Sequence, residues 1–441
     1  MTVLELSASA KGSLAKEPLL FKGFRLLHQN PYSKDANPEG IINAGIAANN
    51  TISDMVLEKL NSLTGVIASD LEYNSPYGEP QLRYEIADLF NRYLSPAEPV
   101  NPDAVTVFNG CTSAISKVTA ATCDPGDHIL IPAPCYAALE SDMGTLPRAV
   151  ATPVDIPLDE AFAPSQVRYF EQKISELKQQ GKRTKMLFLM TPHNPLGASY
   201  PKETLRALFE FASKHSLFVV SDEIYALSVF DRKEGVTPFE SVLSWSDLSS
   251  YIDPAALIVM HGLSKDFGLN GFRMGWTITP WNQDLTNTLH NYAPFGYRPA
   301  YTDRIIADFL ADHAFVDNLL STSRKNLAEN YALTTEFFDK HSVEYVPCSA
   351  GHYIWFKLPI AASTKAHRAL GALQATEVAK LWTKETDLTA WEHIVLNERV
   401  YFPTGQAFCS TEPGWFRFTF AITKEQLVLA LDRIGNSFKL D

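Results

Sequence analysis

The chain has 441 residues, of which 46% are hydrophobic and 20% are charged, a composition typical of a folded globular protein rather than a disordered one. A formal net charge of −12 and the lack of any cluster of five or six basic residues argue against a nucleic-acid-binding surface. No stretch approaches the ~18 consecutive apolar residues of a membrane span, and the first residues lack the basic and then apolar pattern of a secretory signal. We therefore expect an acidic protein that binds neither nucleic acid nor a membrane.

The cysteines form an odd, scattered set without a CxxC pair. This usage argues against a disulfide framework or a zinc site, and it favours reduced thiols in a cytoplasmic protein. The five cysteines are Cys111, Cys123, Cys135, Cys348 and Cys409.

The first 40 residues contain three prolines and little periodicity, which is typical of an arm. The segment IINAGIAANN, at 41–50, follows as a short apolar strand running into small residues. Small residues there would let the backbone approach a ligand closely, although a plain loop explains the segment equally well. A segment with helical spacing comes next, and Pro80 then opens an amphipathic helix. Tyr73 and Tyr77 lie in the Pro/Gly turn before Pro80, where they are candidates for binding.

From about residue 101 the chain alternates between short apolar strands and helices. Five strands are predicted, over residues 104–110, 128–136, 186–197, 217–225 and 256–265. Continuous apolar runs separated by helices indicate a mostly parallel sheet covered by helices on both faces. Polar residues follow the strand ends directly, and in such sheets this edge is where ligands bind.

The chain changes character from about residue 325. A long helix is followed by GHYIWFKL and WFRFTFAI, which alternate like antiparallel strands, and by a final helix over 424–438. We expect an N-terminal arm with part of the small domain over 1–65, a large cofactor-binding domain over 66–324 and a small α+β domain over 325–441. Residues 361–392 read as mostly helical, with a mobile connection at 361–366.

The segment SKDFGLNGFRMGW places Lys265 directly after Ser264 and places Arg273 eight residues later, among three glycines. A buried lysine near other cations loses its proton readily and becomes an amine nucleophile toward an aldehyde. An arginine one short loop away is suited to hold a phosphate. A lysine for an aldehyde and an arginine for a phosphate suggest one cofactor, pyridoxal 5′-phosphate (PLP).

Four segments occur in the order in which they occur in the class I/II aminotransferases, and the chain resembles that family of fold-type I PLP enzymes. Within the family it is most similar to the 1-aminocyclopropane-1-carboxylate (ACC) synthase-like branch. The resemblance implies an α/β fold of PLP-dependent transferase type I, an α-amino acid substrate and a homodimer with shared active sites. The segments are NPLG from Asn194, SDEIY from Ser221, SKDFGLNGFRMGW from Ser264 and EPGWFRFTFA from Glu412.

The resemblance also implies a role for each strand-end residue. Lys265 would bond covalently to the cofactor aldehyde and would move the substrate Cα proton. Asp222 would pair with the pyridine nitrogen and keep it protonated, so that the ring accepts electrons. Asn194 and Tyr225 would hydrogen-bond to the phenolic oxygen of the cofactor, and Tyr136 would stack on its ring.

The remaining roles concern the cofactor phosphate and the substrate. Cys111 and Thr112 would offer amides and a hydroxyl to the phosphate, and Arg273 would supply the charge, with Ser264 beside it. Tyr73 or, as the less favoured alternative, Tyr77 would reach the phosphate of the partner subunit. Arg417 would hold the substrate carboxylate in a bidentate pair, and Ala47 and Asn194 would line the substrate site.

The chain departs from the family pattern at four positions. Gly262 stands where a serine usually offers the phosphate a hydroxyl, and Cys135 stands where a tyrosine usually precedes the stacking tyrosine. Ala48 replaces a glutamate associated with S-adenosylmethionine chemistry, which argues against ACC synthase activity. His352 replaces an apolar residue, and a packed strand histidine is favoured over a substrate contact. For Arg298 a solvated surface position is favoured over a contact with substrate across the dimer.

Transamination of an α-amino acid is the expected reaction, because the basic apparatus for it is complete. Elimination or replacement at Cβ or Cγ, including carbon–sulfur cleavage, begins in the same way and stays open as an alternative. A non-catalytic PLP-binding protein is a further alternative, although the chain lacks the helix-turn-helix domain that PLP-binding transcription factors carry. No metal site is expected.

Overall fold

The computed structural model describes residues 5–7, 10–11, 14, 19–63, 65–231, 236–359, 362, 365 and 382–438. Most of the mobile connection predicted at 361–366 and most of the helical stretch predicted over 361–392 fall outside these residues. In the described part of the chain, no helix is long and apolar enough to cross a membrane.

Helices and strands alternate through most of the described chain. The helices are α1 Leu19–Gln29, α2 Ser53–Ser62, α3 Pro80–Tyr93, α4 Gly110–Thr122, α5 Leu139–Gly144, α6 Val167–Gln179, α7 Lys202–Lys214, α8 Gln283–Tyr292, α9 Ala300–Ala311, α10 His313–Lys340, α11 Lys384–His393 and α12 Lys424–Phe438. The strands are β1 Ile42–Asn43, β2 Val105–Asn109, β3 His128–Ala133, β4 Val150–Asp155, β5 Thr184–Met190, β6 Phe218–Asp222, β7 Leu257–Gly262, β8 Met274–Ile278, β9 Tyr345–Val346, β10 Tyr353–Lys357, β11 Val400–Tyr401 and β12 Trp415–Thr419.

A seven-stranded sheet forms the centre of the molecule, in the order β2-β8-β7-β6-β5-β3-β4. Neighbouring strands run parallel except at β8, which is antiparallel to both β2 and β7. The mostly parallel sheet is therefore confirmed, with two strands that the sequence did not predict. Val150–Asp155 is a partly exposed edge strand without an apolar run, and Met274–Ile278 begins inside the glycine-rich SKDFGLNGFRMGW segment.

The sheet is buried because helices cover both of its faces with apolar side chains. The central strands β7 and β8 are buried along their whole length, as their continuous apolar sequence requires. Two clusters of buried hydrophobic residues pack against the sheet, one containing Phe90 and Trp276 and the other containing Phe108 and Phe188. This packing fixes the carboxyl ends of the strands, where the polar residues lie.

A separate hydrophobic core lies around a three-stranded sheet of order β12-β10-β9. Strands β10 and β12 are antiparallel, as predicted, with Trp355 opposite Arg417. The arm joins this core through β1, which runs parallel to β11. Because the small core takes residues from both ends of the chain, we propose the division into 1–65, 66–324 and 325–441 for the folded protein.

Candidate active site

Lys265 lies just after the carboxyl end of β7. Its Nζ donates a hydrogen bond of 2.7 Å to the main-chain oxygen of Ala47, a buried residue of the arm. Burial, together with the positive charges of Arg417 and Arg273, lowers the pKa of Lys265 from 10.5 to about 8. The side chain is therefore an amine that is partly unprotonated near neutral pH.

Asp222 ends the neighbouring strand β6 and is 2% exposed. Burial raises its pKa to about 7, although Oδ1 accepts a hydrogen bond of 3.2 Å from the amide of Ile224 and Lys265 lies close enough to oppose the shift. The carboxyl group lines the same cavity as Lys265. A cationic group placed against Asp222 would stabilise its ionised form.

The N-terminus of α4 and Arg273 lie together on the cavity wall. Helix α4 follows β2 directly, and its first turn has no side-chain cap. Arg273 lies at the end of a short 3₁₀ turn, and a Cβ on Gly110 would come within 2.4 Å of its guanidinium Nη2. Glycine at 110 therefore makes room for the arginine beside free helix amides, an arrangement that binds anions. Thr112 and Ser264 also line this cavity.

Cys111 fills the space next to Gly262. The Cys111 thiol donates a hydrogen bond of 3.4 Å to the main-chain oxygen of His261. A Cβ on Gly262 would lie 2.7 Å from the oxygen of Met274 and 3.0 Å from the sulfur of Cys111. The glycine that replaces the expected serine thus belongs to a close contact between α4, β7 and β8, and Cys111 offers the cavity its backbone rather than its thiol.

Arg417, on β12, is 5% exposed and has no carboxylate partner among the described ion pairs. Its Nη1 donates to Asn194 Oδ1 at 3.0 Å, its Nη2 donates to the oxygen of Gly45, and its Nε lacks an acceptor. The guanidinium carbon lies 4.8 Å from the ring centre of Tyr353 and 4.7 Å from that of Phe408. An arginine held between two rings without a counter-charge is arranged to receive a carboxylate.

Two tyrosines complete the cavity. Tyr136 and Tyr225 both line it, together with Asn194 and Asp222. Tyr225 is 1% exposed, and burial raises the pKa of its hydroxyl well above the usual value of 10. Its ring meets Tyr353 of β10 edge to face, with ring centres 5.3 Å apart, and this contact fixes its position.

The two tyrosines of the Pro/Gly turn lie apart from the cavity within the single chain. Tyr73 is 97% exposed, and its ring centre lies 6.4 Å from that of Tyr297. Tyr77 stacks on His290 with ring centres 4.0 Å apart, and Arg83 covers its ring. Tyr77 is thus held inside its own subunit, whereas Tyr73 is free to contact a second molecule.

The interpretation of Arg298 as a solvated surface residue was wrong. Arg298 is 1% exposed, and its Nε and Nη2 donate to the two oxygens of the buried Asp303 at 2.9 and 3.0 Å. A third hydrogen bond of 2.6 Å goes to the main-chain oxygen of Val107. Because every part of this guanidinium faces the protein interior, Arg298 binds α9 to β2 and does not point toward a substrate.

His352 is a packed residue, as the sequence favoured, and it belongs to a buried polar network that the sequence did not reveal. His352 Nε2 lies 3.2 Å from Ser228 Oγ, which in turn donates to Asp266 Oδ1. Asp266 Oδ2 lies 3.1 Å from His261 Nε2, and this nitrogen carries the proton because Nδ1 accepts from the amide of Gly262. The network holds Asp266, the residue that follows Lys265. The acid directly after the reactive lysine is the feature of the sequence that could have indicated this network.

The cavity that these residues line has a volume of about 110 Å³. The structure brings most of the predicted site residues to this cavity or into contact with its lining. They are Ala47, Cys111, Thr112, Tyr136, Asn194, Asp222, Tyr225, Ser264, Lys265, Arg273 and Arg417. Tyr73 alone of the predicted set lies elsewhere.

Known proteins share this sequence pattern along most of the chain. A probable aminotransferase of Aspergillus fumigatus, gliI, is 32% identical over 369 residues, which cover 81% of this chain and 79% of the relative. The ACC synthase-like protein 1 of Homo sapiens is 30% identical over 426 residues, 94% of this chain and 79% of the relative. A probable inactive ACC synthase-like protein 2 of Mus musculus is 28% identical over 441 residues, 97% of this chain and 71% of the relative.

Solved structures share the fold. A single mutant of Thermus thermophilus aspartate aminotransferase matches with a TM-score of 0.73 at 20% identity, over 99% of this chain and 100% of that one. The aromatic aminotransferase of Pyrococcus horikoshii matches with a TM-score of 0.69 at 20% identity, over 94% and 98% of the two chains. These likenesses confirm the predicted fold class. The sequence model described as aminotransferase class I and II matches residues 29–434, and the chain belongs to that family of enzymes.

Proposed function

We propose that the protein is a PLP-dependent aminotransferase that acts on an α-amino acid. The observation that carries this proposal is the buried guanidinium of Arg417, which has an unpaired Nε and no carboxylate partner in the described chain. It lies close enough to Lys265 to lower the pKa of that amine. A site that combines a vacant carboxylate receptor with a nucleophilic amine suits an α-amino acid.

The chemistry of the donor set fits PLP. The uncapped N-terminus of α4 and the guanidinium of Arg273 would hold its phosphate, and Asp222 would hold the proton of the ring nitrogen. Ionisation of Asp222 is opposed by burial in the single chain, so a protonated ring nitrogen would supply the missing partner. When bound, PLP supplies an aldehyde that condenses with amines and a ring that accepts electrons from the substrate Cα.

The chain's own residues would position the substrate and move one proton. Arg417 would bind the substrate carboxylate, and the rings of Tyr353 and Phe408 would exclude water from that pair. Lys265, with its pKa near 8, would take the proton from the substrate Cα and hold it for delivery to the former aldehyde carbon of the cofactor. Tyr225 and Asn194 would hydrogen-bond to the phenolic oxygen of the cofactor.

A residue of the N-terminal arm, Ala48, argues against ACC synthase activity. Ala48 offers no carboxylate to attract a sulfonium, and it lies one residue from the Ala47 oxygen that contacts Lys265. Arg298 is paired with Asp303 and therefore does not bind an acidic side chain of a substrate. An amino acid with an uncharged side chain is thus the favoured substrate class.

A second copy of the chain is the partner that we propose. Apolar side chains around Tyr73 are exposed to an extent that is unusual for a monomer surface. They are Val66 at 66%, Ile67 at 51%, Leu71 at 81%, Tyr73 at 97% and Phe295 at 80%. A homodimer that covers them would carry Tyr73 toward the anion site of the other subunit.

The half-reaction tests the proposed function. Enzyme loaded with PLP is mixed with single L-amino acids without an oxo-acid acceptor, and the cofactor spectrum and the products are followed. Transamination converts the bound cofactor to its amine form and releases one oxo acid per site. Ammonia or a thiol released over many turnovers, with the cofactor unchanged, would instead assign elimination and overturn the proposal.

A further inference from the structure

Cys135 and Cys409 lie on a second cavity, on the far side of Tyr136 from the first. This cavity has a volume of about 220 Å³, and Glu140 and Gln406 lie on its wall together with the two cysteines. Cys135 follows β3 and directly precedes Tyr136, whereas Cys409 comes from the C-terminal part of the chain. Two thiols from distant parts of the sequence thus meet at one solvent-connected space.

The backbones at the two cysteines are in direct contact. The amide of Cys135 donates a hydrogen bond of 2.8 Å to the main-chain oxygen of Phe408, the residue before Cys409. Standard bond lengths then place the two cysteine Cα atoms within about 7 Å of each other. Disulfide-bonded cysteines have Cα atoms ~4.4–6.8 Å apart, so little backbone movement is needed to join these two.

The two thiols also interact with each other. The neighbouring Cys135 side chain lowers the pKa of the Cys409 thiol, whereas Cys409 raises the pKa of Cys135. Cys409 is half-buried and Cys135 is buried. The more acidic and more accessible sulfur is therefore Cys409, and thiolate character combined with access is what makes a cysteine react first.

The other three cysteines have different partners. Cys111 donates to the oxygen of His261 at 3.4 Å, Cys348 donates to the oxygen of Tyr353 at 3.4 Å, and Cys123 lies 3.7 Å from the hydroxyl of Thr122. Among the described residues, no third histidine, cysteine or acid completes a metal-binding group with Cys135 and Cys409. The pair is thus equipped for thiol chemistry rather than for holding a metal ion.

We propose that Cys135 and Cys409 are a dithiol modification site, which a small-molecule disulfide oxidises to an intramolecular disulfide bond. The Cys409 thiolate attacks one sulfur of the small disulfide and releases one small thiolate, which takes up a proton. Cys135 then loses its proton and attacks the Cys409 sulfur, which releases the second small thiol. Two protein thiols are oxidised and one small disulfide is reduced to two thiols, so that atoms and electrons balance.

The bond would connect two segments of the active site. Cys135 precedes Tyr136, which lines the first cavity, and Cys409 follows Phe408, whose ring lies against Arg417. Oxidation would therefore join the segment that follows β3 of the central sheet to the segment that packs against Arg417. We expect the thermal midpoint of the oxidised chain to rise, because a cross-link over a long stretch of chain restricts the unfolded state.

Oxidised glutathione is the probe for the test. The full chain loaded with PLP is incubated with it, alkylated and analysed by intact mass and by non-reducing peptide mapping. We expect a product lighter by two hydrogens with a peptide linking Cys135 to Cys409, formed equally well in the control variant Cys123→Ser. Cys135→Ser is expected to stop at one glutathione on Cys409, and dithiothreitol is expected to reverse both products.

Two results would overturn the proposal. One is a wild-type chain that accumulates a stable glutathione adduct on Cys409, because the second thiol then fails to resolve it. The other is a chain in which Cys135 and Cys409 stay unmodified, whether or not Cys123 reacts. Both results are read from the wild-type protein, so they do not depend on the folding of any variant.

Discussion

The Nζ of Lys265 and the main-chain oxygen of Ala47 are joined by a hydrogen bond of 2.7 Å, which connects the strand-end loop of the large core to the N-terminal arm. A carbonyl oxygen accepts from an ammonium or from a neutral amine, and it binds the ammonium more strongly. The bond therefore holds the side chain in place and favours its charged form, whereas burial and the nearby arginines favour the neutral form and lower the pKa.

The pH dependence of cofactor capture follows from this lysine. Only the neutral amine attacks an aldehyde, so the rate at which cofactor-free protein binds PLP should rise with pH and level off above about 8 rather than above 10.5. The measurement is the rate of appearance of bound-cofactor absorbance between pH 6 and pH 10. A rate that keeps rising past pH 9 would contradict the environment described for Lys265. The variant Lys265→Ala should show no such absorbance at any pH.

Arg417 should control substrate affinity without controlling cofactor binding. In Arg417→Lys a compact ammonium replaces the planar fork, so the bidentate pair with a carboxylate is lost. Truncating a buried charge pair costs about 2 kcal/mol or more, so KM for the amino acid should rise by about 30-fold or more. Steady-state kinetics measure the change, and the cofactor spectrum should stay that of wild type. Arg206→Lys, at a half-exposed arginine, is the control and should leave KM unchanged.

Gly262 should not tolerate the serine that the family usually carries. The added Cβ would meet Met274 O at 2.7 Å and Gly275 Cα at 2.9 Å, and backbone atoms do not move aside easily. Overpacking of this kind costs about 1–3 kcal/mol, so Gly262→Ser should lower the free energy of unfolding by that amount and weaken PLP binding. Gly271→Ser is the matched control, because nothing lies within 4 Å of its added Cβ. Equal stability of the two variants, measured by urea unfolding, would refute the close contact.

Asp266 should be more important for stability than an ordinary acid. Its carboxylate accepts from Ser228 Oγ, from the amide of Leu227 at 3.0 Å and from His261. In Asp266→Asn an amide donor would face one of these donors, so we expect a loss of about 1–3 kcal/mol in unfolding free energy. Asp432→Asn, on the exposed face of α12, serves as the control. A second readout is the pH profile of PLP capture, which should shift because Asp266 holds the loop that carries Lys265.

Much of the site was predictable because strands in a parallel sheet end at one edge. Asn194, Asp222 and Lys265 each follow a continuous apolar run, and such runs are readable from sequence. Arg298 was misread because its burial depends on Asp303, and nothing in local spacing shows which of two exposed-looking charges will pair inside the fold. The contact between Cys135 and Cys409 is equally invisible from sequence, because it arises only when the segments after β3 and before β12 meet.

The exposed Tyr73 allows the proposed dimer to be tested through shared active sites. If Tyr73 reaches the anion site of the second subunit, Tyr73→Ala should weaken PLP binding even though Tyr73 lies outside the cavity of its own chain. Lys265→Ala and Tyr73→Ala are then mixed under mild denaturant and refolded together at limiting PLP. A hybrid dimer has one site with both defects and one intact site, so random exchange should restore about a quarter of the wild-type activity. If Tyr73 acts within its own subunit, both hybrid sites carry one defect each, and the mixture should be no more active than the two parents measured apart.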